Sequence, residues 1–416
     1  MGSAVIVDVA RTATGKRNGA LSGWHPADLA GSLLKTLVER NDLDPSLVED
    51  VIMGCVTQIG AQAFNVGRSA VLAAGLPETT CATTVDRQCG SSQQAAHFAA
   101  QGVMAGAYDV VIAAGVEVMS RVPMGASGGV DLSSSEASGS MEFVDSVDLP
   151  FGPPFGPGVH ERYRARGGLV SQGISAELVA DQWNLSREDL DRFAASSQSR
   201  AARATDEGRF ESEIVPVGAR VRDPATGRVS ENGEMHRCDQ GIRPGTTVEA
   251  LSALRPVFKA NGKITAGSSS QIADGASACL IMSEEKASQL GLVPRARFCS
   301  FAVAGVDPVL MLTGPIPASR RALERAKLSI GDIDLVEINE AFAPVVLAWM
   351  QELQADANRV NVNGGAIALG HPLGCTGTKL IATLVNELER TGGRFGLVTM
   401  CEGGGLANAT ILERLG

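Results

Sequence analysis

Four residues stand where a polar or nucleophilic side chain could act on a substrate: Cys89, Asn339, His371 and Cys401. Around the first, the chain reads Val85-Asp-Arg-Gln-Cys-Gly-Ser-Ser-Gln-Gln-Ala-Ala96. An apolar approach breaks at one cysteine, and an Ala-rich helical pattern follows. That spacing predicts a strand, a tight turn and a helix opening, with Cys89 at the helix N-terminus. Unpaired N–H groups and the helix dipole favour an anion there, so the expectation is a lowered pKa and a held thiolate. The plain alternative is a buried, inert thiol, the usual fate of a free cysteine.

His371 sits among glycines in Asn363-Gly-Gly-Ala-Ile-Ala-Leu-Gly-His-Pro-Leu-Gly-Cys-Thr-Gly377, at a strand-to-helix turn. Asn339-Glu-Ala-Phe342 ends the apolar run from Leu335 to Ile338, and Cys401-Glu-Gly-Gly-Gly405 follows the last long apolar run. Thr265-Ala-Gly-Ser-Ser-Ser270 is a small polar turn after a strand. In parallel α/β folds, turns at the carboxyl ends of strands are where ligands bind. Singly, a satisfied histidine, a packed cysteine or a turn-forming asparagine explains each residue. Jointly, those explanations need four coincidences at strand ends.

The elements that must position these residues repeat along the chain. Glu39-Arg40 followed by Leu43 and Val51 matches Glu324-Arg325 followed by Leu328 and Val336, an offset of 324 − 39 = 285. At the same offset, Cys89-Gly-Ser-Ser92 falls on Gly374-Cys-Thr-Gly377, and Ile112-Ala-Ala114 falls on Leu397-Val-Thr399. Each half alternates strand and helix. Its strands are continuous apolar runs, which predicts mainly parallel sheets covered on both faces. The small residues of the two equivalent helices, Ala95, Ala96, Ala99 and Ala100 against Thr376, Gly377 and Thr378, would let them pack together between the sheets.

Between the halves, 127–140 is rich in Ser and Gly, and 149–158 alternates Pro, Phe and Gly, which precludes regular structure. The helical pattern of 175–207, with an N-cap signal at Ser186 and Asp189, lies inside this excursion. An insertion this long shapes a binding site rather than a core. The chain is expected to return to strand at 264–270 and again at 276–282.

The totals narrow the functional class. A net charge of −10 with no long basic run argues against nucleic-acid binding. The eight cysteines have no paired short spacing and read as reduced thiols of a cytoplasmic protein. The five histidines form no zinc-ligand pattern with them, so no metal is expected. The chain enters Ala4-Val-Ile-Val7 with no charged region before it, and no apolar stretch reaches spanning length. Neither secretion nor membrane insertion is expected.

With these residues assembled, the chain resembles the thiolase family: acetyl-CoA acetyltransferases and 3-ketoacyl-CoA thiolases. The resemblance spans nearly the whole chain. It includes Val116-Glu-Val-Met-Ser120, Gly314-Pro-Ile-Pro-Ala318 and the Asn-Glu-Ala-Phe, Gly-His-Pro and Cys-x-Gly-Gly-Gly stretches. It implies two pseudo-repeated βαβ halves in an α-β-α-β-α layering. The N-terminal half would comprise 1–119 plus 262–285, the C-terminal half 286–416, and an inserted loop domain, 120–261, would cover the site. Cys89 would take the acyl group as a thioester, and His371 would remove its proton. Cys401, expected to rest near a neutral pKa, would move the α-proton. Asn339 would hold a water in one oxyanion hole shared with His371. The backbone N–H groups of Cys89 and Gly403 would form the other. CoA and acyl-CoA would be substrates, with Arg243 beside the CoA adenine and phosphates and Ser270 on the pantetheine arm. No cofactor would be permanently bound. A homodimer or homotetramer is implied.

Several positions depart from the commonest family pattern. Biosynthetic members carry His-Met-Gly where this chain has Ser171-Gln172-Gly173, which removes a Met that lines a narrow acyl site. The expectation is a 3-ketoacyl-CoA thiolase for chains longer than acetoacetyl or bulkier, steroid-derived ones included. The first alternative is an acetoacetyl-CoA-specific acetyltransferase. A decarboxylating ketoacyl synthase would replace the second cysteine, against Cys401. A non-catalytic acyl-CoA or lipid binder would lack one of the four residues, and all four are present.

Overall fold

The computed structural model describes residues 2–128 and 154–416. The expected loop at 127–140 and the first half of that at 149–158 lie mostly outside the described residues, and the second ends in regular structure, because Pro157 and Gly158 open a helix whose first position suits proline. The first part of the chain forms β1 (Ala4–Arg11), β2 (Gly15–Lys16), α1 (Pro26–Arg40), β3 (Asp50–Gly54), α2 (Val66–Ala73), β4 (Cys81–Val85), α3 (Ser91–Met104) and β5 (Val110–Val118). The middle forms α4 (Pro157–Tyr163), α5 (Gln172–Gln182), α6 (Arg187–Asp206), β6 (Val217–Arg222), β7 (Val229–His236) and α7 (Val248–Ser252). There follow β8 (Ala273–Ser283), α8 (Glu284–Gln289), β9 (Ala296–Gly305), α9 (Pro315–Ala326), β10 (Leu335–Ile338), α10 (Ala343–Leu353), α11 (Ala366–Leu369), α12 (Thr376–Thr391), β11 (Phe395–Glu402) and β12 (Leu406–Arg414).

The repeat is visible in the element bounds. β3 and β10, α3 and α12, and β5 and β11 each begin 285 residues apart, as in 376 − 91. The strand order β10-β11-β12-β9-β1-β8-β5-β3-β4 runs outward from β9 and β1 in matching sequence. Among the described residues, the two half-sheets are in register at two pairs, Val5 with Arg297 and Ile6 with Ala296.

The sheets are mixed rather than mainly parallel. Only β3–β4, β3–β5 and β10–β11 pair in parallel. β1–β8, β5–β8, β11–β12 and β12–β9 are antiparallel. The apolar runs report that both faces are covered, as along the wholly buried β1 and β5, and strand direction leaves no mark in such a run. Helices α1 and α2 cover one outer face through Leu29, Leu33, Val66 and Val71. Helices α9 and α10 cover the other through Ile316, Leu323 and Trp349. Between the half-sheets lie α3 and α12, with Ala95, Ala99, Ile381 and Leu384 in one core with residues of both halves.

Small residues set how closely these central helices approach. A Cβ on Gly377 would come within 2.1 Å of the Gln93 nitrogen, and one on Gly54 within 2.3 Å of the Ser92 nitrogen. The Thr378 N–H donates to Ser92 Oγ at 3.0 Å, which stitches the two helix starts together.

The inserted segment is tied to β1 by a fully buried cation. The Arg11 guanidinium meets Glu213 at 2.6 Å and both oxygens of Asp239 at 2.8 and 2.9 Å. Removing one partner of such a buried pair costs about 3–5 kcal/mol, because the other charge is left uncompensated. The expected helix over 175–207 is two helices, α5 and α6, broken at Asn184 in the left-handed region with φ 53°. Ser186 and Asp189 form the expected capping box. The expected strand at 264–270 is a turn, because Thr265 and Ser268 bond each other in place of a ladder, with Thr265 N–H to Ser268 Oγ at 3.0 Å.

Candidate active site

Cys89 lies in the turn between β4 and α3, one residue before the cap of the helix. Gln88 takes a left-handed conformation, φ 49°, and its N–H is held by Asp86 Oδ1 at 2.6 Å. Ser91 Oγ accepts from the Arg87 N–H at 3.0 Å and donates to the Gln88 carbonyl at 2.6 Å. These bonds fix the turn so that Cys89 is buried with Met119, Leu373 and Met400. Two of those neighbours flank the other candidate residues: Leu373 follows His371, and Met400 precedes Cys401.

The electrostatics correct the expected thiolate. Burial pushes the Cys89 thiol up to about 12, and Glu402 adds to the rise. The Gln172 side chain, the Gly403 N–H and the residue's own N–H pull the other way without overcoming it. Stripping water from a thiolate costs more than the partial charges of a helix start return. Cys401, at the end of β11, also departs from the expected near-neutral value. Burial, then the neighbouring Cys89, then Glu402 drive it well above the ordinary thiol range. The two sulfurs are thus close enough to repel one another as anions, and each rests as a thiol.

Gly403 is where a side chain would intrude: a Cβ there would meet Gln88 Oε1 at 3.0 Å and Gln172 Nε2 at 3.4 Å. Gln172 begins α5, capped by Ser171. The next residue must be glycine, because the Phe258 ring would lie 2.1 Å from its Cβ. In the sequence Gln172 marks only a missing Met; in the fold its amide is a donor at the Cys89 sulfur.

His371 is buried, and its two ring nitrogens have different partners. Nδ1 lies 2.6 Å from Thr376 Oγ1 and Nε2 lies 3.3 Å from Asn339 Nδ2. Burial, with Lys379 adding, lowers the imidazole to about 3, so it rests neutral. Asn339 ends β10 with its N–H on the Thr399 carbonyl at 3.1 Å, beside the strand that carries Cys401. Its Oδ1 is buried without a hydrogen-bond partner, so this position can satisfy a polar ligand or a water.

Two buried carboxylates assemble these turns. Glu117 accepts from the N–H groups of Val56 at 2.9 Å, Thr57 at 3.1 Å and Gly374 at 2.9 Å, which joins the two halves beside the site. Glu340 accepts from Ser197 Oγ at 2.6 Å, Asn361 Nδ2 at 3.0 Å and the Ile367 N–H at 3.1 Å, so α6 is fixed to the His371 segment. Sequence reasoning missed both, along with Thr376 and Glu402. An acidic residue inside an apolar strand run was the available signal for Glu117 and Glu402.

Ser270 and Arg243 sit on segments stitched to the same turn. The Ser270 N–H donates to the Ala341 carbonyl at 2.9 Å, and the His371 N–H to the Gln271 carbonyl at 2.9 Å. Gln271 Nε2 reaches the Gly241 carbonyl at 2.9 Å, two residues before Arg243. Arg243 is exposed, its N–H held by Gln198 Oε1 at 2.8 Å. Among the described residues, no group of three or more His, Cys, Asp or Glu could hold a metal ion. No described helix is long and apolar enough to cross a membrane.

Comparison with known proteins finds similarity along nearly the whole chain. A thiolase N-terminal domain matches residues 4–285, and a thiolase C-terminal domain matches residues 292–414. The chain is 48% identical to the steroid 3-ketoacyl-CoA thiolase FadA6 of Mycobacterium tuberculosis, over 100% of this chain and 95% of that one. It is 46% identical to a 3-ketoacyl-CoA thiolase of Aliivibrio salmonicida over the full length of both. The crystal structure of the Bacillus anthracis acetyl-CoA acetyltransferase superposes with a TM-score of 0.85 at 36% identity, covering 100% of this chain and 99% of that one.

Proposed function

The chain belongs to the thiolase family and is an acyl-CoA C-acyltransferase, and from that premise we propose that it cleaves 3-ketoacyl-CoA substrates through an acyl thioester on Cys89. Cys89 attacks the 3-keto carbon and passes its proton to His371. The C2–C3 bond breaks, and its electron pair goes to C2 of the departing acetyl-CoA enolate, which Cys401 protonates. CoA thiol then passes its proton to the Cys401 thiolate and takes the acyl group from Cys89, and the Cys89 thiolate released recovers its proton from His371. In the condensing direction, Cys401 removes the proton from C2.

The observation that carries this reading is the packing of buried Cys89 against Met400, the residue before buried Cys401, with Cys89 among the groups that raise the Cys401 thiol. A general acid has to stand within reach of the carbon released by the nucleophile. The raised thiol pKa and the neutral His371 support a proton transfer that accompanies attack. An anion held in advance is disfavoured. The Gly403 and Cys89 N–H groups serve the thioester oxyanion, and Asn339 with His371 serves the other through a water. The segment 120–261 is the cover that binds CoA, with Arg243 on its adenine and phosphates and Ser270 on pantetheine.

Gln172 in place of Met, and similarity to a relative named for steroid substrates, support 3-ketoacyl chains bulkier than acetoacetyl. A cytoplasmic homo-oligomer fits the half-exposed terminal strand β4 and the adjoining Phe64, which is 99% exposed. The test is mass spectrometry after incubation with an acyl-CoA, which is expected to place the acyl group on Cys89. A panel of 3-ketoacyl-CoAs with free CoA then reads the chain preference. A strict preference for acetoacetyl-CoA would end the bulky-substrate reading.

A further inference from the structure

Glu402 is buried, and neither carboxyl oxygen has a hydrogen-bond partner. Nor has Asn408 Oδ1, on the neighbouring strand β12. The two groups face one another across Gly90. A Cβ at Gly90 would lie 1.9 Å from Glu402 Oε1 and 2.1 Å from Asn408 Oδ1, so these oxygens are at most 4.0 Å apart. The amide of Asn408 is oriented by its other end, since Nδ2 donates to Gln94 Oε1 of α3 at 3.0 Å. Two buried acceptors therefore confront each other in water-poor surroundings, an arrangement that costs free energy unless a proton lies between them.

We infer that Glu402 carries its proton at rest and donates it to Asn408 Oδ1, and that this neutral clamp is a positioning device for the two cysteines. The inference rests on the proposed roles of Cys89 and Cys401. The clamp joins the strand end that presents Cys401 and Gly403 to β12 and, through Asn408 Nδ2 and Gln94, to the helix that follows Cys89, with Gly90 packed against both groups. Gly90 is glycine because the clamp occupies the space of its side chain. The groups facing Glu402 are Asp86 and Arg87 of the β4–α3 turn, Cys89 after them and Cys401 on its own strand. Burial drives the Glu402 carboxyl well above the ordinary carboxylate range; Arg87 opposes this and Asp86 assists it. Ionised, Glu402 would place a negative charge beside both sulfurs and hinder either from losing a proton. Neutral, it leaves them free to do so.

Glu402→Gln keeps a neutral donor toward Asn408, whereas Glu402→Ala leaves that oxygen unpaired. The full-length protein is expected to show the infrared carbonyl stretch of a protonated, buried carboxyl, shifted in heavy water and absent from the Gln variant. Glu402→Gln should keep iodoacetamide alkylation of Cys89 within about threefold of wild type at neutral pH, while Glu402→Ala loses about tenfold in thiolysis rate. At alkaline pH the Gln variant should be alkylated faster than wild type, because it cannot acquire the charge. An unchanged infrared spectrum in Glu402→Gln overturns the inference, even if the Ala variant fails to fold. So does alkylation many times faster than wild type at pH 7, the sign that a carboxylate was removed. Acylation of wild-type Cys89 by acyl-CoA is scored separately. If it succeeds while either of those results appears, the clamp alone is wrong.

Discussion

The Thr376 hydroxyl fixes which nitrogen of His371 carries no proton at rest. Thr376 Oγ1 donates its single hydrogen to the Pro372 carbonyl at 2.8 Å. At 2.6 Å from Nδ1 it can therefore only accept. The proton of the neutral ring sits on Nδ1, and Nε2 keeps its lone pair, toward the Asn339 amide. One hydroxyl thus sets the tautomer that the proposed abstraction of the Cys89 proton would use.

Replacing Thr376 with Val removes this acceptor at nearly constant volume. Acylation of Cys89 is expected to slow by about tenfold or more, the cost of an unpaired buried N–H, with little change in KM. Thr376→Ser should restore the rate. Stopped-flow acylation with an acyl-CoA reads both. An unchanged acylation rate in Thr376→Val would show that the tautomer is set elsewhere.

The role proposed for Cys401 separates two half-reactions. Transfer of an acyl group from acyl-CoA to Cys89 breaks only a C–S bond, whereas thiolysis must also protonate the carbon released. Cys401→Ala should still form the acyl-Cys89 adduct, while 3-ketoacyl-CoA cleavage falls by about 10²–10⁴-fold, the usual worth of general acid–base catalysis. Intact-mass measurement and a thiolysis assay on the same preparation decide it. Equal loss of both activities would indicate a structural role for the second sulfur.

Gln172 is a donor at the Cys89 sulfur, so Gln172→Ala should raise the thiol pKa further. Iodoacetamide alkylation at fixed pH is expected to slow by about two- to tenfold, in line with one neutral hydrogen bond. Gln172→Met tests the substrate side of the same residue. Its expected effect is a shift in relative kcat/KM toward acetoacetyl-CoA. If neither rate moves, the amide is incidental to the chemistry.

Much of this site was legible as punctuation. Cys89, Asn339, His371 and Cys401 each end or follow an apolar run, and the 285-residue offset reappears in the bounds of β3 and β10, α3 and α12, and β5 and β11. Strand direction was not legible, because β1 and β5 are buried on both faces and parallel or antiparallel neighbours leave the same pattern. The protonation of the sulfurs was misread for a related reason. A helix N-terminus can be seen in the sequence, but the desolvation of Cys89 depends on Leu373 and Met400 arriving from nearly three hundred residues away. Gln172 acts on Cys89 through a contact that no local spacing announces.

His97 shows how the buried interface between the halves responds to acid. It lies on α3 with Nε2 2.7 Å from Thr410 Oγ1, and the Phe301 ring edge packs 5.0 Å from it. Burial, with Arg87 adding, lowers the ring to about 3 from an ordinary 6.5. The folded state therefore keeps His97 neutral where the unfolded chain binds a proton. Its contribution to stability is fully present above pH 6.5 and is lost as the pH falls from there toward 3. The slope approaches 1.4 kcal/mol per pH unit for one proton, so acidification from pH 7 to 5 costs the wild type about 2 kcal/mol that His97→Gln does not lose. Every other titrating group is common to the two proteins and cancels in the difference. Urea unfolding of both at pH 7 and pH 5 measures it, and the stability gap between them should shift in favour of the variant at the lower pH. A gap that stays constant would mean that His97 titrates alike in the folded and unfolded chain, and a gap that moves toward the wild type would mean that the fold holds it protonated.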